Sequence, residues 1–513
     1  MELNRLLLPG EYDGKTGDNI EITGISNDGR RIGTGNLFIC HKGKKYDSHV
    51  LLPTLKETGI VAAVVSSEHK NDHVGIPLFA VGDTRLAEAY AVSRFCGSPG
   101  DRLTLIGVTG TNGKTSVSTM LWRILNDAGI KTGLIGTTGY GGTPEKEDAF
   151  TSFRIDDATS MTTPPPLTLY PLLAAMADAG ITHVVTEVSS QALAARRVAP
   201  LSFSAAIFTN LTPEHLDYHR TMTEYLAAKK VLFRQSKIAV VNGDSPWTDL
   251  LLDGFSCPRV VCGTFGTCDY TATNVARDGC KSVSYLCQTP EGSFPVSVPV
   301  PASFTVINSL LALATAKTVG VGIESALGTL ARLPGVPGRM ETVDAGDFPF
   351  TIIIDYAHTE AALRSLLLSV RAFRRPGQRI VLLFGCGGDR DPAKRSEMGR
   401  TAEELADYTV VTSDNSRSED PKKIISGILS GMKRIDKRRV VVDRRRAIEY
   451  VIRTAKAGDV ILLAGKGHEK YEIGADGVRE FDEKKIVSDA LEARRNGHTT
   501  EGQDYENSNG IAD

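Results

Sequence analysis

Leu103-Thr-Leu-Ile-Gly-Val108 and, one residue on, Gly110-Thr-Asn-Gly-Lys-Thr-Ser116 decide the fold. A short apolar run, a glycine-rich turn and a helical stripe read as a buried strand feeding a helix through a phosphate loop. From Ser116 to Ala128, the residues Val117, Met120, Leu121, Ile124 and Leu125 recur at helical spacing, and Gly129 ends the run. The chemistry asks for these residue types. Gly110 and Gly113 let backbone N–H groups approach phosphate, and the helix N-terminus adds positive partial charge. Lys114 is placed to reach terminal phosphates, and Thr115 to ligate Mg²⁺. Val108 stands where the usual pattern has its first glycine, so an ordinary strand-to-helix turn is the competing reading.

Outward from this loop the alternation continues. Helix 167–179 precedes strand 181–188, and strand 205–210 precedes helix 222–235 and strand 238–242. Alternating strands and helices predict a parallel sheet covered on both faces. Residues 257–301, rich in Thr, Ser, Val and Gly, read as a β insertion. Beyond Pro334-Gly-Val-Pro-Gly338, the runs 350–355, 380–384, 408–411 and 460–464 are strand candidates separated by helices, a second doubly wound unit. Before the phosphate loop, residues 1–100 mix short β-like runs (37–40, 61–65) with a helix at 84–95. The expected division is a first domain at 1–100, a central phosphate-loop domain at 101–336, a Rossmann-like domain at 337–493, and a polar tail at 494–513 read as disordered.

Bulk properties narrow the function. Across 513 residues, 59 basic side chains face 61 acidic ones, which gives no global field for nucleic acid or an anionic membrane. The eight cysteines form no CxxC pair, so they read as reduced thiols of a cytoplasmic protein rather than a disulfide frame or zinc site. No apolar run approaches the roughly 18 residues of a membrane span.

Two further segments end strands at the same rim as the phosphate loop, where open α/β sheets bind ligands. Val184-Val-Thr-Glu187-Val-Ser-Ser190 offers Glu187 as a Mg²⁺ ligand, and Asn210-Leu-Thr-Pro-Glu-His215-Leu-Asp217 offers His215. On the helix through Tyr225-Leu-Ala-Ala-Lys-Lys-Val-Leu-Phe233, Lys229 falls on the apolar face with Tyr225, Ala228, Leu232 and Phe233. A lysine there is paired, neutralised, chemically modified or snorkelling.

Together with Val336-Pro-Gly-Arg339-Met-Glu341, Asp355-Tyr-Ala-His358-Thr359 and Gly385-Cys-Gly-Gly-Asp-Arg390-Asp391, these segments resemble the Mur ligases over nearly the whole chain. The resemblance implies a cytoplasmic, monomeric, ATP-dependent amide ligase of peptidoglycan precursor synthesis. Its ATP would be held by Gly110, Thr111, Asn112, Gly113, Lys114, Thr115 and Ser116, with Asn308, Arg339, Asp355 and His358. It implies catalytic roles for Lys114, Glu187, His215 and Lys229. Two Mg²⁺ ions would lie at Thr115, Glu187, His215 and Lys229, the last carrying a CO₂-derived carbamate. The precursor UDP-N-acetylmuramoyl-L-alanyl-D-glutamate would meet Ser26, Thr162, Thr163, Ser189 and Arg197. In Asp28-Gly-Arg30, Gly29 replaces the family's serine, and in Asp414-Asn-Ser-Arg417, Ser416 replaces its proline. Arg390, Asp414, Asn415, Ser416, Arg417, Gly465 and Glu469 look like the acceptor site of members that add meso-2,6-diaminopimelate. Arg417 can fork onto the distal carboxylate that diaminopimelate has and lysine lacks. Lysine-adding and folylpolyglutamate synthetase-like ligases are the alternatives, followed by a non-enzymatic ATP-binding regulator.

Overall fold

The computed structural model describes residues 1–8, 10–13, 20–43, 46–72, 74–153 and 161–497. The chain is mixed α/β in three domains with largely parallel sheets. In the first, strands Gly24–Ser26, Asn36–Ile39, Ala62–Ser66 and Leu78–Val81 pair in that order, all parallel. The helix Thr84–Phe95 then leads toward the phosphate-loop strand.

That strand, Thr104–Thr109, sits inside a ten-stranded sheet, between His183–Glu187 and Phe203–Phe208. Beyond Phe203–Phe208 come Ser236–Asn242, Arg259–Gly263 and Tyr270–Asp278, and on the other side Thr132–Gly136, all parallel to their neighbours. Gly139–Gly141 closes one edge antiparallel. Residues 257–301 are β-rich as expected, but they are no separate insertion. Ser282–Thr289 and Gly292–Val298 add antiparallel strands to the same sheet. Val283, Tyr285 and Cys287 alternate into the core, where the buried helix Phe304–Thr318 covers them and Tyr285 meets the Ser309 hydroxyl at 2.8 Å.

In the C-terminal domain a six-stranded sheet runs Glu341–Val343, Thr351–Asp355, Val460–Ala464, Ile380–Phe384, Tyr408–Val411, Arg438–Val440, with only the first strand antiparallel. Its central strands are apolar throughout because helices cover both faces. The last helix, Glu483–Arg495, continues two residues into the stretch expected to be tail, and residues 498–513 lie outside the described residues. All eight cysteines are free. Among the described residues no helix is long and apolar enough to cross a membrane.

Candidate active site

The phosphate loop is held open by its glycines. Gly110 has φ 152°, and a Cβ there would lie 1.8 Å from Thr209 Oγ1. Gly113 has φ 85° and caps the helix Lys114–Asp127 without a side chain, which leaves first-turn N–H groups free for an anion. Asn308 packs against it, 2.8 Å from where a Cβ would stand. Asn210 anchors the loop by accepting from the Asn112 N–H at 2.9 Å, and Thr209 donates to the Asn112 carbonyl at 2.5 Å. Lys114 folds back over the loop, donating to the Gly110 and Thr111 carbonyls at 2.8 Å each, and burial holds its pKa below the ordinary lysine value.

Glu187 is 1% exposed and sits at the centre of the site. Its Oε2 accepts from Thr115 Oγ1 at 3.2 Å and Thr137 Oγ1 at 3.0 Å, and its Oε1 from the Thr137 N–H at 3.0 Å. The Thr137 hydroxyl lies 3.1 Å from that of Thr162. Thr163 donates to the Glu187 carbonyl at 2.9 Å and accepts from the Ser189 N–H at 2.9 Å, while Arg197 donates to the Thr163 carbonyl at 2.7 Å. Thr162, Thr163, Ser189 and Arg197 therefore form one wall leading to Glu187. Ser26 belongs to the first domain, where among the described residues its side chain bonds locally to Asp28. Arg196 and Asp83, 3.4 Å apart, join the first domain to the central one.

His215 has a left-handed backbone, φ 57°, and starts the short helix Leu216–His219. It and Lys229 flank Tyr225. The imidazole meets the Tyr225 ring edge-on at 6.3 Å between centroids, and Lys229 Nζ lies 4.5 Å from the ring centre. Lys229 is 1% exposed, and among the described residues no carboxylate lies within 4.0 Å of it. Burial, reinforced by Lys114, pushes its ammonium well below the ordinary lysine pKa. Burial also lowers His215.

From the C-terminal side, Arg339 donates to Thr115 Oγ1 at 3.2 Å, its guanidinium lies over Tyr356, and its Nε is buried with no partner. Asp355 accepts from the Met340 and Ala357 N–H groups at 2.8 Å each, and burial raises its pKa. His358 donates to the Tyr356 carbonyl at 2.8 Å and points its other nitrogen at Glu214, 3.6 Å away. Burial alone would raise the Glu214 carboxyl, but His358, His215 and Lys114 outweigh it and hold it at about 2.

Arg417 and Arg390 lie side by side at Gly387, and neither has a carboxylate within 4.0 Å among the described residues. The Arg417 side chain donates to the Gly388 and Asn415 carbonyls, and burial followed by repulsion from Arg390 lowers its pKa. Arg417 Nη1 and the Arg390 side-chain stem both reach Gly387, Arg390 Nη1 donates to the Asp389 carbonyl at 3.2 Å, and the positive charge of this corner suits an anion. Beside them, Asn415 donates to Glu469 at 2.9 Å and accepts from Lys466 at 2.9 Å. Asp414 lies 3.7 Å from Lys466, and Lys466 with Arg444 holds it below the ordinary carboxylate pKa against its burial. Gly465, φ 113°, fits where a Cβ would stand 2.7 Å from Asp414 Oδ2. The Ser416 carbonyl packs on Gly388, where a Cβ would come within 1.9 Å of it. A cavity of about 620 Å³ between the central and C-terminal domains borders this group at Glu469 and the Glu187 group at Thr137.

Sequence reasoning missed Thr137, Glu214, Lys466 and His468. Thr137 follows a strand at the active rim, Glu214 lies within residues 210–217, and Lys466 and His468 lie between Gly465 and Glu469, so position was a usable signal for each.

A phosphate-binding strand–loop–helix, a buried carboxylate beside it and a second doubly wound sheet closing over both define a three-domain nucleotide-binding architecture. The chain belongs to the Mur ligase family, with residues 108–316 matching the Mur ligase middle domain and residues 338–467 the Mur ligase glutamate ligase domain. It is 38% identical over 482 residues to the UDP-N-acetylmuramoyl-L-alanyl-D-glutamate--2,6-diaminopimelate ligase of Syntrophomonas wolfei, covering 92% of this chain and 95% of that one. The ligase of the same name from Geobacillus kaustophilus is 39% identical over 491 residues, with coverage of 93% and 96%. A solved structure of such a ligase superposes with TM-score 0.67 at 28% identity, covering 97% of this chain and 100% of that one.

Proposed function

We propose that this chain is a cytoplasmic ATP-dependent ligase that joins meso-2,6-diaminopimelate to UDP-N-acetylmuramoyl-L-alanyl-D-glutamate. The observation that carries the reading is Arg417, with Arg390 neighbouring it and without a carboxylate within 4.0 Å among the described residues, beside Asn415 and Glu469 and one cavity away from Glu187. An arginine there favours an acceptor with a distal carboxylate, and one whose distal end carries an ammonium without a carboxylate would be repelled. The names of the relatives point the same way. On this reading the first domain takes the uridine end near Ser26, the central domain holds ATP and the peptide, and the C-terminal domain presents the acceptor.

A carboxylate needs a better leaving group than oxide before an amine can displace it. The D-glutamate γ-carboxylate attacks the γ-phosphorus of ATP, ADP leaves, and an acyl phosphate forms. The acceptor amine adds to its carbonyl and loses a proton, and phosphate departs to leave the amide. Lys114 faces the phosphates, and the N–H groups at Gly113 and beyond cradle them. The buried, unpartnered Nε of Arg339 suits a phosphate oxygen or ribose hydroxyl. Asn308, Asp355 and His358 enclose the nucleoside end.

The oxygen donors Thr115 and Glu187, 3.2 Å apart, suit a hard cation such as Mg²⁺. A second would need Glu187, His215 and Lys229, and an ammonium cannot ligate. A lysine held neutral by burial can instead attack CO₂ and lose a proton to give an anionic carbamate, which fits the donor set. When bound, such ions supply charge neutralisation between carboxylate and γ-phosphate. The route is tested with ¹⁸O in the precursor γ-carboxylate. The acyl phosphate predicts one labelled oxygen in the released phosphate, and unlabelled phosphate alongside amide would contradict it.

A further inference from the structure

Glu187 is clamped by two threonines, and each of them is also touched from the C-terminal part of the chain. Thr115 receives Arg339 Nη2 at 3.2 Å. Thr137 receives His468, whose Nε2 lies 3.2 Å from the Thr137 carbonyl oxygen. A carbonyl only accepts, so that nitrogen carries the proton. Thr137 in turn contacts both Glu187 oxygens, through its N–H and its hydroxyl. On the other side His468 adjoins Glu469, which is fixed by Asn415 at 2.9 Å and by the Tyr356 hydroxyl at 3.3 Å. The loop carrying His468 has little room to shift. Gly338, φ 64°, packs so close that a Cβ there would stand 2.2 Å from the His468 backbone nitrogen. The His468 ring also lies 5.3 Å from that of Tyr356. The cavity between the two domains opens directly beside this contact, bordered by Thr137, His468 and Glu469.

We infer that His468 is a positioning residue that couples the acceptor loop to the Glu187 site across the domain boundary. The inference rests on the ligase reading above. Its hydrogen bond sets where Glu469, and with it the acceptor amine, stands relative to the carbonyl activated beside Glu187. Timing makes this consequential. An acyl phosphate not met by the amine is met by water, which adds at the carbonyl, releases phosphate and restores the carboxylate. A displaced loop therefore shows itself as phosphate without amide.

The test measures both products in the same reactions for the wild type, His468→Phe and His468→Gln. Phe keeps a ring against Tyr356 and cannot donate, while Gln can place an amide N–H near the lost Nε2. Wild type is expected to give equal phosphate and amide. His468→Phe is expected to raise the phosphate-to-amide ratio roughly tenfold, the scale of losing one hydrogen bond, and His468→Gln to restore most of the coupling. Should the Phe variant fail to fold, His468→Ala carries the same expectation. A donor-less, folded variant whose phosphate and amide stay equal would overturn the inference, because a merely structural defect lowers both alike. Wild-type protein that releases phosphate but never forms amide would overturn the ligase reading itself, and the inference with it.

Discussion

Lys229 shows how far one residue can be read. Its place on an apolar helix face was visible in the spacing, and the fold buries it to 1% exposure beside Tyr225 and within the field of Lys114. A cation in that position would be expensive unless neutral or modified. The carbamate reading predicts that Lys229→Ala loses roughly 100-fold or more of the turnover. It also predicts that short carboxylic acids added to the assay restore part of it, because they return the missing anion to the vacated space. Full turnover by the variant without added acid would contradict the assignment. Thr137, Glu214 and His468 were legible only by position. Their meaning lies in contacts across domains, such as His468 to Thr137, 331 positions apart, and no local pattern encodes such a pairing.

Among elements, those with a period or a run of apolar residues were legible. The strands at 380–384, 408–411 and 460–464 and the helix at 84–95 were anticipated within a residue, because burial on both faces or on one stripe writes itself into composition. Strands Gly24–Ser26 and Arg438–Val440, three residues each, are too short to show alternation. The strands after Tyr270 were recognised as β but not as part of the main sheet, since register with a distant strand is a tertiary property. The loop Asp414–Arg417 is the element on which specificity is argued. Arg417 sits at φ 52°, a conformation kept by the Gly388 and Asn415 carbonyls that hold its side chain. Arg417→Ala is expected to raise KM for diaminopimelate roughly 10- to 150-fold, the scale of a charge-assisted contact, with KM for ATP unchanged. Steady-state kinetics varying each substrate in turn checks this, and equal KM for diaminopimelate in both proteins would remove Arg417 from the acceptor site.

At the scale of the whole molecule, two domains meet around one carboxylate and the third abuts them. The central sheet supplies the phosphate loop and Glu187 from adjacent strands, as the C-terminal rim of a parallel sheet does in general. The first domain abuts it through Arg196 and Asp83, and the C-terminal domain reaches in with Arg339, His358 and His468. On the proposed ligase reading, this division puts the group to be activated on one body and the group that attacks on another. Amide formation with an acceptor chosen by its second carboxylate is tested most directly by one measurement. Purified protein is supplied with ATP, Mg²⁺ and UDP-N-acetylmuramoyl-L-alanyl-D-glutamate, with either meso-diaminopimelate or L-lysine, and the tripeptide product is quantified alongside phosphate. Product is expected with diaminopimelate and little with lysine. Equal or better turnover with lysine would contradict it.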